Sequence, residues 1–341
     1  MKRILLLSLI LFPFQAFAQE AASLRQRSLS RWGVRAANYS GITPLGGGRY
    51  AVVSDKEPLD GFYVFRIEQD TLTGRVLRVA DEGFRGVPPA ETDERGNSLR
   101  DCEGVAFDPV SRTVYICGEG DQQILGYTLG GQYADRRLRV PSCFDRDSVR
   151  ANMGFEALTY SAADGLFWTT TEVPLPADGP CTCPQHPDAR NVLRLQAFTG
   201  EGRPARQLRY LMDAPALPRN GRHYCMGVPA LCALADGRLV VLERELRVPR
   251  RYIGARTSVR LYLIDPAAAP GADGFVVKHP LLSFTTRLGV LRQAYASYEG
   301  ICPGIRLRDG RQTLLLVSDS QARAGRGPIR LRDFVKVVVV P

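Results

Sequence analysis

Histidine is scarce in this chain: three in 341 residues, at His186, His223 and His279. That count excludes a histidine-rich zinc centre. A Ser-His-Asp triad would have to recruit one of the three, and no G-x-S-x-G elbow accompanies them. His223, in N-G-R-H-Y-C-M-G, is the best placed, but it reads more simply as a loop histidine. Neither G-x-G-x-x-G nor G-x-x-x-x-G-K-[ST] occurs, which removes the phosphate-cradling loops of nucleotide enzymes. Lysines are few, so arginine carries nearly all of the +10 net charge. The arginines are scattered and no nucleic-acid motif goes with them, so no nucleic-acid partner is expected. Their simplest role is a solvated basic surface; steering of anionic substrates is the weaker alternative. No segment reaches the roughly 18 apolar residues of a membrane span. Long amphipathic helices and a domain linker are also missing, so residues 19–341 are expected to form one domain, and a monomer.

The N-terminus does carry an address. Lys2 and Arg3 form a basic n-region, residues 4–14 an apolar h-region, and Ala16-Phe17-Ala18 a small-x-small cleavage site. Residues 1–18 therefore read as a signal peptide, cut after Ala18 to leave Gln19 first, which directs the chain to the periplasm or the exterior. In that oxidising compartment the eight cysteines are expected to form disulfides. Cys225 and Cys232 would suit a local loop. Cys181 and Cys183 are too close to join easily and would each reach a distant partner. A metal site at Cys181, Cys183 and His186 is the lesser reading.

What the chain has in quantity is one phrase, repeated. Residues 101–109 read DCEGVAFDP, with Asp101 and Glu103 flanking Cys102. The same pattern of acid, small residue, alternating strand, turn, apolar strand and acid returns at 155–172 and 298–319. It is also present at 39–55 and 228–243, with Ser40 and Pro229 where the first acid would stand. The small residue is Gly41, Gly104, Ala157, Ala230 or Gly300. Asp164-Gly165, Asp236-Gly237 and Asp309-Gly310 mark tight hairpins, because Asp-Gly tolerates positive φ. Alternating segments at 61–67, 123–129, 191–195 and 259–264 supply further strands, giving about four strands per unit. That is the signature of an all-β propeller with long loops. Five hairpins are clear, and the long intervals leave room for a degenerate sixth, so six blades are expected. The C-terminal run 334–340 is expected to close the ring by joining the blade that begins near Ser28, hiding a sheet edge.

Ring geometry gathers equivalent positions around one axis. Glu103, Glu156 and Glu299 each precede an innermost strand. A second set, Asp55, Glu119, Glu172, Glu243 and Asp319, follows the next strand. Carboxylates gathered at one mouth repel one another, and a hard divalent cation relieves this most simply, calcium above all. Arginine is the alternative, with Arg31, Arg35, Arg100 and Arg244 available. Equally, each glutamate could cap backbone N–H groups between blades.

N-M-G-F-E-A-L-T-Y at 152–160, D-x-E-G-V-A-F at 101–107, I-C-G-E-G at 116–120 and Y-E-G-I at 298–301 resemble the secreted family named for esterase-like activity of phytase. The resemblance spans roughly residues 35–340. It implies a phytase-type β-propeller that hydrolyses phosphoesters or carboxylic esters. Ser40 and Pro229 depart from the pattern and put the first and fourth units in doubt as ligand donors. Joined to the charge argument, it gives a scheme for a small anionic or ester substrate. Calcium would be held by Glu103, Glu156 and Glu299 with Asp55 and Asp319, the attacking water would be served by Glu119 or Glu172, and substrate charge would be met by Arg100 and Arg244. A calcium-dependent lactonase-like propeller and a non-catalytic binding or scaffold propeller are the alternatives.

Overall fold

The computed structural model describes residues 20–341 apart from 56, 90, 93, 95–97, 291–292, 321–324 and 327–328. The expected signal peptide lies outside the described residues. Five sheets follow one another along the chain. The first blade is Tyr39–Gly46, Arg49–Ser54, Asp60–Gln69 and Val76–Val87. The second is Cys102–Asp108, Thr113–Gly118, Ile124–Thr128 and Tyr133–Leu138. The third is Phe155–Ser161, Leu166–Thr171, Val192–Phe198 and Pro204–Leu211. The fourth is His223–Ala233, Leu239–Val248, Arg256–Ile264 and Lys278–Arg287. The fifth holds Ser297–Arg306, Gln312–Asp319 and Phe334–Val340, completed by Ala22–Ser23 and Arg27–Ser28. Every pairing within these sheets is antiparallel.

Five blades, not six, account for the chain. The length that suggested a sixth is spent on loops, notably 172–191 in the third blade and 320–333 in the fifth, where a small hairpin pairs Gly325–Arg326 with Ile329–Arg330. The placement of the C-terminal strand also differs from expectation. Phe334–Val340 lies third in the fifth blade, beside Gln312–Asp319. Residues 22–28 provide the outer strand, with Ala22 opposite Val339 and Ser28 opposite Phe334. Lys336 Nζ donates to the Leu24 carbonyl at 2.7 Å, and the Tyr298 hydroxyl donates to Gln26 at 2.9 Å.

The core is divided among the five blade interfaces. Along Arg49–Ser54, Tyr50 and Val52 pack toward the fifth blade, whereas Ala51 and Val53 pack toward the second. The period-2 alternation of a strand thus feeds two cores at once. This is why second strands such as Thr113–Gly118 and Leu239–Val248 read as continuous apolar runs over much of their length. Outer strands face water on one side and alternate, as in Pro204–Leu211. At the three Asp-Gly turns the glycines take φ of 71°, 86° and 91°, as expected of tight hairpins.

The recurring small residue has a steric cause. A Cβ at Gly41 would lie 2.4 Å from the Glu103 carbonyl oxygen, and one at Gly104 would lie 2.7 Å from the Glu156 carbonyl oxygen. Each innermost strand therefore leans on the backbone of the next, and the axial space at this level is only about 10 Å³. With five blades the axis is narrow, which forces whatever follows the small residue's neighbours toward the mouth to crowd together.

The eight cysteines are not joined in disulfides. Cys102, Cys117, Cys232 and Cys302 are buried strand residues that pack as small apolar side chains. Cys225 and Cys232 lie on one strand, opposite Leu246 and Val240, and no local bridge links them.

Candidate functional site

The carboxylates meet where the innermost strands begin. Asp101 and Glu103 enter the second blade, Glu156 the third and Glu299 the fifth. One oxygen each of Glu103, Glu119 and Glu156 lie within 4.8 Å of one another, as do those of Asp55, Asp101 and Glu103. Glu103 is common to both groups. These two are the cation-competent groups among the described residues; Cys181, Cys183 and His186 do not form one. The three histidines are all exposed.

The crowding shows in the titration of the group. Enclosure and the neighbouring Glu156, Asp55, Asp101 and Glu119 push the Glu103 carboxyl well above the usual range. Enclosure, Glu172, Glu119 and Glu299 do the same to Glu156, against the opposing pull of Arg244. Glu299 is pushed up to about 7, chiefly by enclosure, with Arg244 opposing and Asp55 and Glu172 adding to the rise. Among the described residues, no donor hydrogen-bonds to the carboxylate of Glu103 or Glu156.

The second set is defined by ladder register. Asp319 pairs with Ser297 at the start of the fifth blade, and the backbone N–H groups of Asp55, Glu119 and Glu172 donate to the carbonyls of Asn38, Asp101 and Gly154. In the fourth blade the corresponding partner of Gly227 is Arg244, not Glu243. Glu243 faces the other side of its strand. There it accepts from the Tyr210 hydroxyl at 2.8 Å, from Lys278 Nζ at 2.6 Å and from the Asp213 N–H at 3.3 Å. Its neighbour two residues on, Glu245, accepts from the N–H groups of Ala216 and Leu217 at 2.7 and 2.9 Å, and from Arg260 at 3.1 Å.

Arg244 is the guanidinium at the mouth. It is buried, forms ion pairs with Glu172 in the third blade and Glu299 in the fifth, and donates to the Ser297 hydroxyl at 3.1 Å. The Cys225 thiol also donates to Glu172, at 3.2 Å, and burial beside that carboxylate pushes its pKa well up, so it is not a poised nucleophile. Glu119 accepts from the Gly154 N–H at 3.1 Å, a contact that ties the second blade to the third. Asp319 is buried and lies opposite Ser297, whose hydroxyl accepts from Arg244.

Arg100, expected to meet substrate, is placed elsewhere. Its guanidinium donates to Asp121 at 2.6 Å and to the Ile116 carbonyl at 3.0 Å, with Asp60 at 3.8 Å. Arg31 and Arg35 are likewise not among the groups around Glu103; Arg35 pairs with Glu57 at 2.6 Å. Asp101 is the residue that sequence reasoning passed over as a ligand. Its signal was present as the first letter of DCEGV. It adopts φ of 52°, and Asn38, at the same place in the first blade, adopts 49°. Asp and Asn are the side chains that best tolerate that conformation.

A five-bladed propeller with a ring of carboxylates and Arg244 at its mouth is thus the class of protein defined here. Within that class, residues 35–321 match the Phytase-like family, described as esterase-like activity of phytase. The chain belongs to that family. A comparison with curated proteins gives no match. Among solved structures it is similar to an endo-arabinase from Bacteroides thetaiotaomicron, at 11% identity and TM-score 0.49, over 92% of this chain and 96% of that one. It is also similar to a β-xylosidase/α-arabinofuranosidase from a compost microbial metagenome, at 11% identity and TM-score 0.47, over 94% of each chain. An α-L-arabinanase from Penicillium chrysogenum gives 12% identity and TM-score 0.44, over 93% of this chain and 98% of that one.

Proposed function

We propose that the protein is a secreted hydrolase of phosphoesters or carboxylic esters whose acidic mouth holds a divalent cation, calcium by the nature of its donors. The observation that carries this reading is the pair of convergent oxygen groups sharing Glu103. The donor set is all carboxylate oxygen, which suits a hard cation and offers nothing to a soft one. Asp55, Asp101, Glu103 and Glu156 would hold the ion, with Glu119 at its edge and Asp319 behind. When bound, it would offset the repulsion among these groups and polarise an ester or phosphoryl oxygen.

The chain's own residues supply the rest of the chemistry. Glu119 has one oxygen fixed by the Gly154 N–H, which aims its carboxylate and suits it to accept a proton from water. Glu172 is committed to Arg244 and Cys225, so its share is to hold the guanidinium in place. Arg244 lowers the negative potential on its side of the mouth, where an anionic substrate group would approach. Arg100 is assigned to structure, locking the loop at 119–121 against Asp60.

The test is metal content after purification, then hydrolysis of phytate, p-nitrophenyl phosphate, p-nitrophenyl acetate and a simple lactone, with calcium and with chelator. Turnover of a phosphate or acetate ester that chelator abolishes supports the proposal. Turnover of the lactone alone transfers the protein to the lactonase reading. Bound calcium with no turnover on any substrate leaves a binding or scaffold propeller.

A further inference from the structure

We propose that the cleft between the outer strand of the fifth blade and the first blade is a binding site for a medium-chain fatty carboxylate. The cleft encloses about 200 Å³ and shares no residue with the acidic mouth. Its floor is Leu24, Val76, Val335 and Val337, and its rim is Arg25, Arg27 and Arg75.

The arrangement follows from strand register. Arg27 stands directly opposite Val335 in the outer strand of the fifth blade. Directly opposed residues of an antiparallel pair project from the same face. On that face Val335 and Val337 are buried against first-blade residues such as Val52 and Ile67. The Leu24 N–H donates to the Val337 carbonyl at 2.8 Å, which seats the Leu24 side chain on the same cluster. From the first blade, the turn at 70–75 comes close: a Cβ on Gly74 would lie 2.9 Å from Thr313 Cγ2 and 3.7 Å from Val337 Cγ1. Arg75 and Val76 follow that glycine into the cleft wall.

The charges there are all of one sign. Among the described residues, Arg25, Arg27 and Arg75 form no ion pair, and no acid lines the cleft. Asp70, whose carboxylate Arg75 stabilises from a distance, is occupied within its own turn. It accepts from the N–H groups of Leu72 and Thr73 at 3.1 and 2.7 Å, and from the Thr73 hydroxyl at 2.7 Å. Guanidinium groups donate and do not accept. A complementary ligand is therefore acceptor-only at its head and aliphatic behind it. An ionised carboxylate matches the planar fork of an arginine with two parallel hydrogen bonds. A single alkyl chain matches the leucine and valine floor, and the small volume keeps that chain short.

Calorimetric titration of the full chain with hexanoate, octanoate, octanol and octylamine, each below the concentration at which it aggregates, tests this. Octanoate is expected to bind about fifteenfold tighter than hexanoate, about fourfold for each methylene buried. Octanol and octylamine are expected to bind weaker than octanoate by on the order of tenfold or more, for want of a charge-assisted hydrogen bond. Replacing all three arginines, Arg25→Gln, Arg27→Gln and Arg75→Gln, should weaken octanoate to the level of octanol, with thermal melts checking that the variant is folded. Should the triple variant fail to fold, Arg75→Gln decides: weaker octanoate binding supports the site, and unchanged binding overturns it. A wild type that takes up no octanoate, or takes up octanol equally well, overturns the proposal, as does a folded triple variant at unchanged affinity. Binding to phosphatidylglycerol vesicles without uptake of octanoate also overturns it, and gives the arginines to a membrane surface instead.

Discussion

Two groups of buried glutamates in this protein meet opposite fates. Glu243 and Glu245 in the fourth blade are each 2% exposed, more deeply buried than Glu103 at 6%. Yet Glu243 and Glu245 are surrounded by tyrosine hydroxyls, backbone N–H groups, Lys278 and Arg260. Around Glu103 stand other carboxylates, and around Glu156 three more, with Arg244 opposing them. Burial alone therefore does not mark a site. What separates the groups is whether the fold provides the compensating donors or leaves that task to something else. The first group fastens the loop at 213–217; the second is the functional candidate.

The sharpest way to break this comparison is to remove one member from each side. Glu243→Ala takes the partner from Lys278 and Tyr210, and is expected to destabilise the protein by about 3 kcal/mol, the usual cost of halving a buried ion pair; denaturant melts read it directly. Glu103→Gln is expected to do the reverse in chelator, raising stability by about 1–2 kcal/mol as repulsion is relieved, while calcium no longer stabilises the variant. If Glu103→Gln destabilises the metal-free protein as Glu243→Ala does, the distinction between the two groups fails.

Acidity offers a second handle. A carboxyl whose folded-state pKa lies above its unfolded value binds its proton more tightly when folded. Stability is then highest below about pH 4, where both states are protonated, and falls as pH rises through the folded pKa. For Glu299, pushed up to about 7, the loss is about 3 kcal/mol; Glu103 and Glu156 shift in the same direction. The metal-free protein should accordingly lose stability between about pH 4.5 and 7.5, judged by its melting temperature. Excess calcium should flatten that slope, and Glu299→Gln should reduce it. A slope of the opposite sign would show that the group is compensated from within.

Smaller effects refine the picture. Gly104→Ala forces a Cβ to within 2.6 Å of the Leu158 backbone nitrogen. It should cost about 1–3 kcal/mol, as overpacking does, without changing the pH slope. Cys225 should resist a thiol reagent in the folded state, because its thiol is held by Glu172 and pushed up in pKa. Rapid labelling of the native chain would contradict that placement.

How far these features could be read beforehand varied with their physical origin. The hairpins were legible because Asp-Gly turns and apolar second strands are local signals. The gathering of Glu103 and Glu156 was legible because it follows from repetition. Blade number was not, since loop insertions such as 172–191 carry no signature that separates them from a worn blade. Glu243 was placed with the axial acids by matching letters, but the irregular pairing between Gly227 and Ala230 sets the register and presents Arg244 instead. Arg100 is one of several arginines that the sequence offers as counter-charges, and strand alternation does not govern where a loop residue points. Eight cysteines suggested bridges; several are simply core residues of separate blades.

The fifth sheet is stitched from both extremes of the polypeptide: Leu24 and Lys336 touch across 312 positions of chain. Assembly of this sheet cannot proceed in the order of synthesis. The stretch at 22–28 leaves the ribosome long before its partner exists, and until Phe334–Val340 follows, Val335, Val337, Val338 and Val340 are missing from the apolar clusters that the fifth blade shares with the first and fourth. Such a distant contact makes completion of this sheet a slow step in folding.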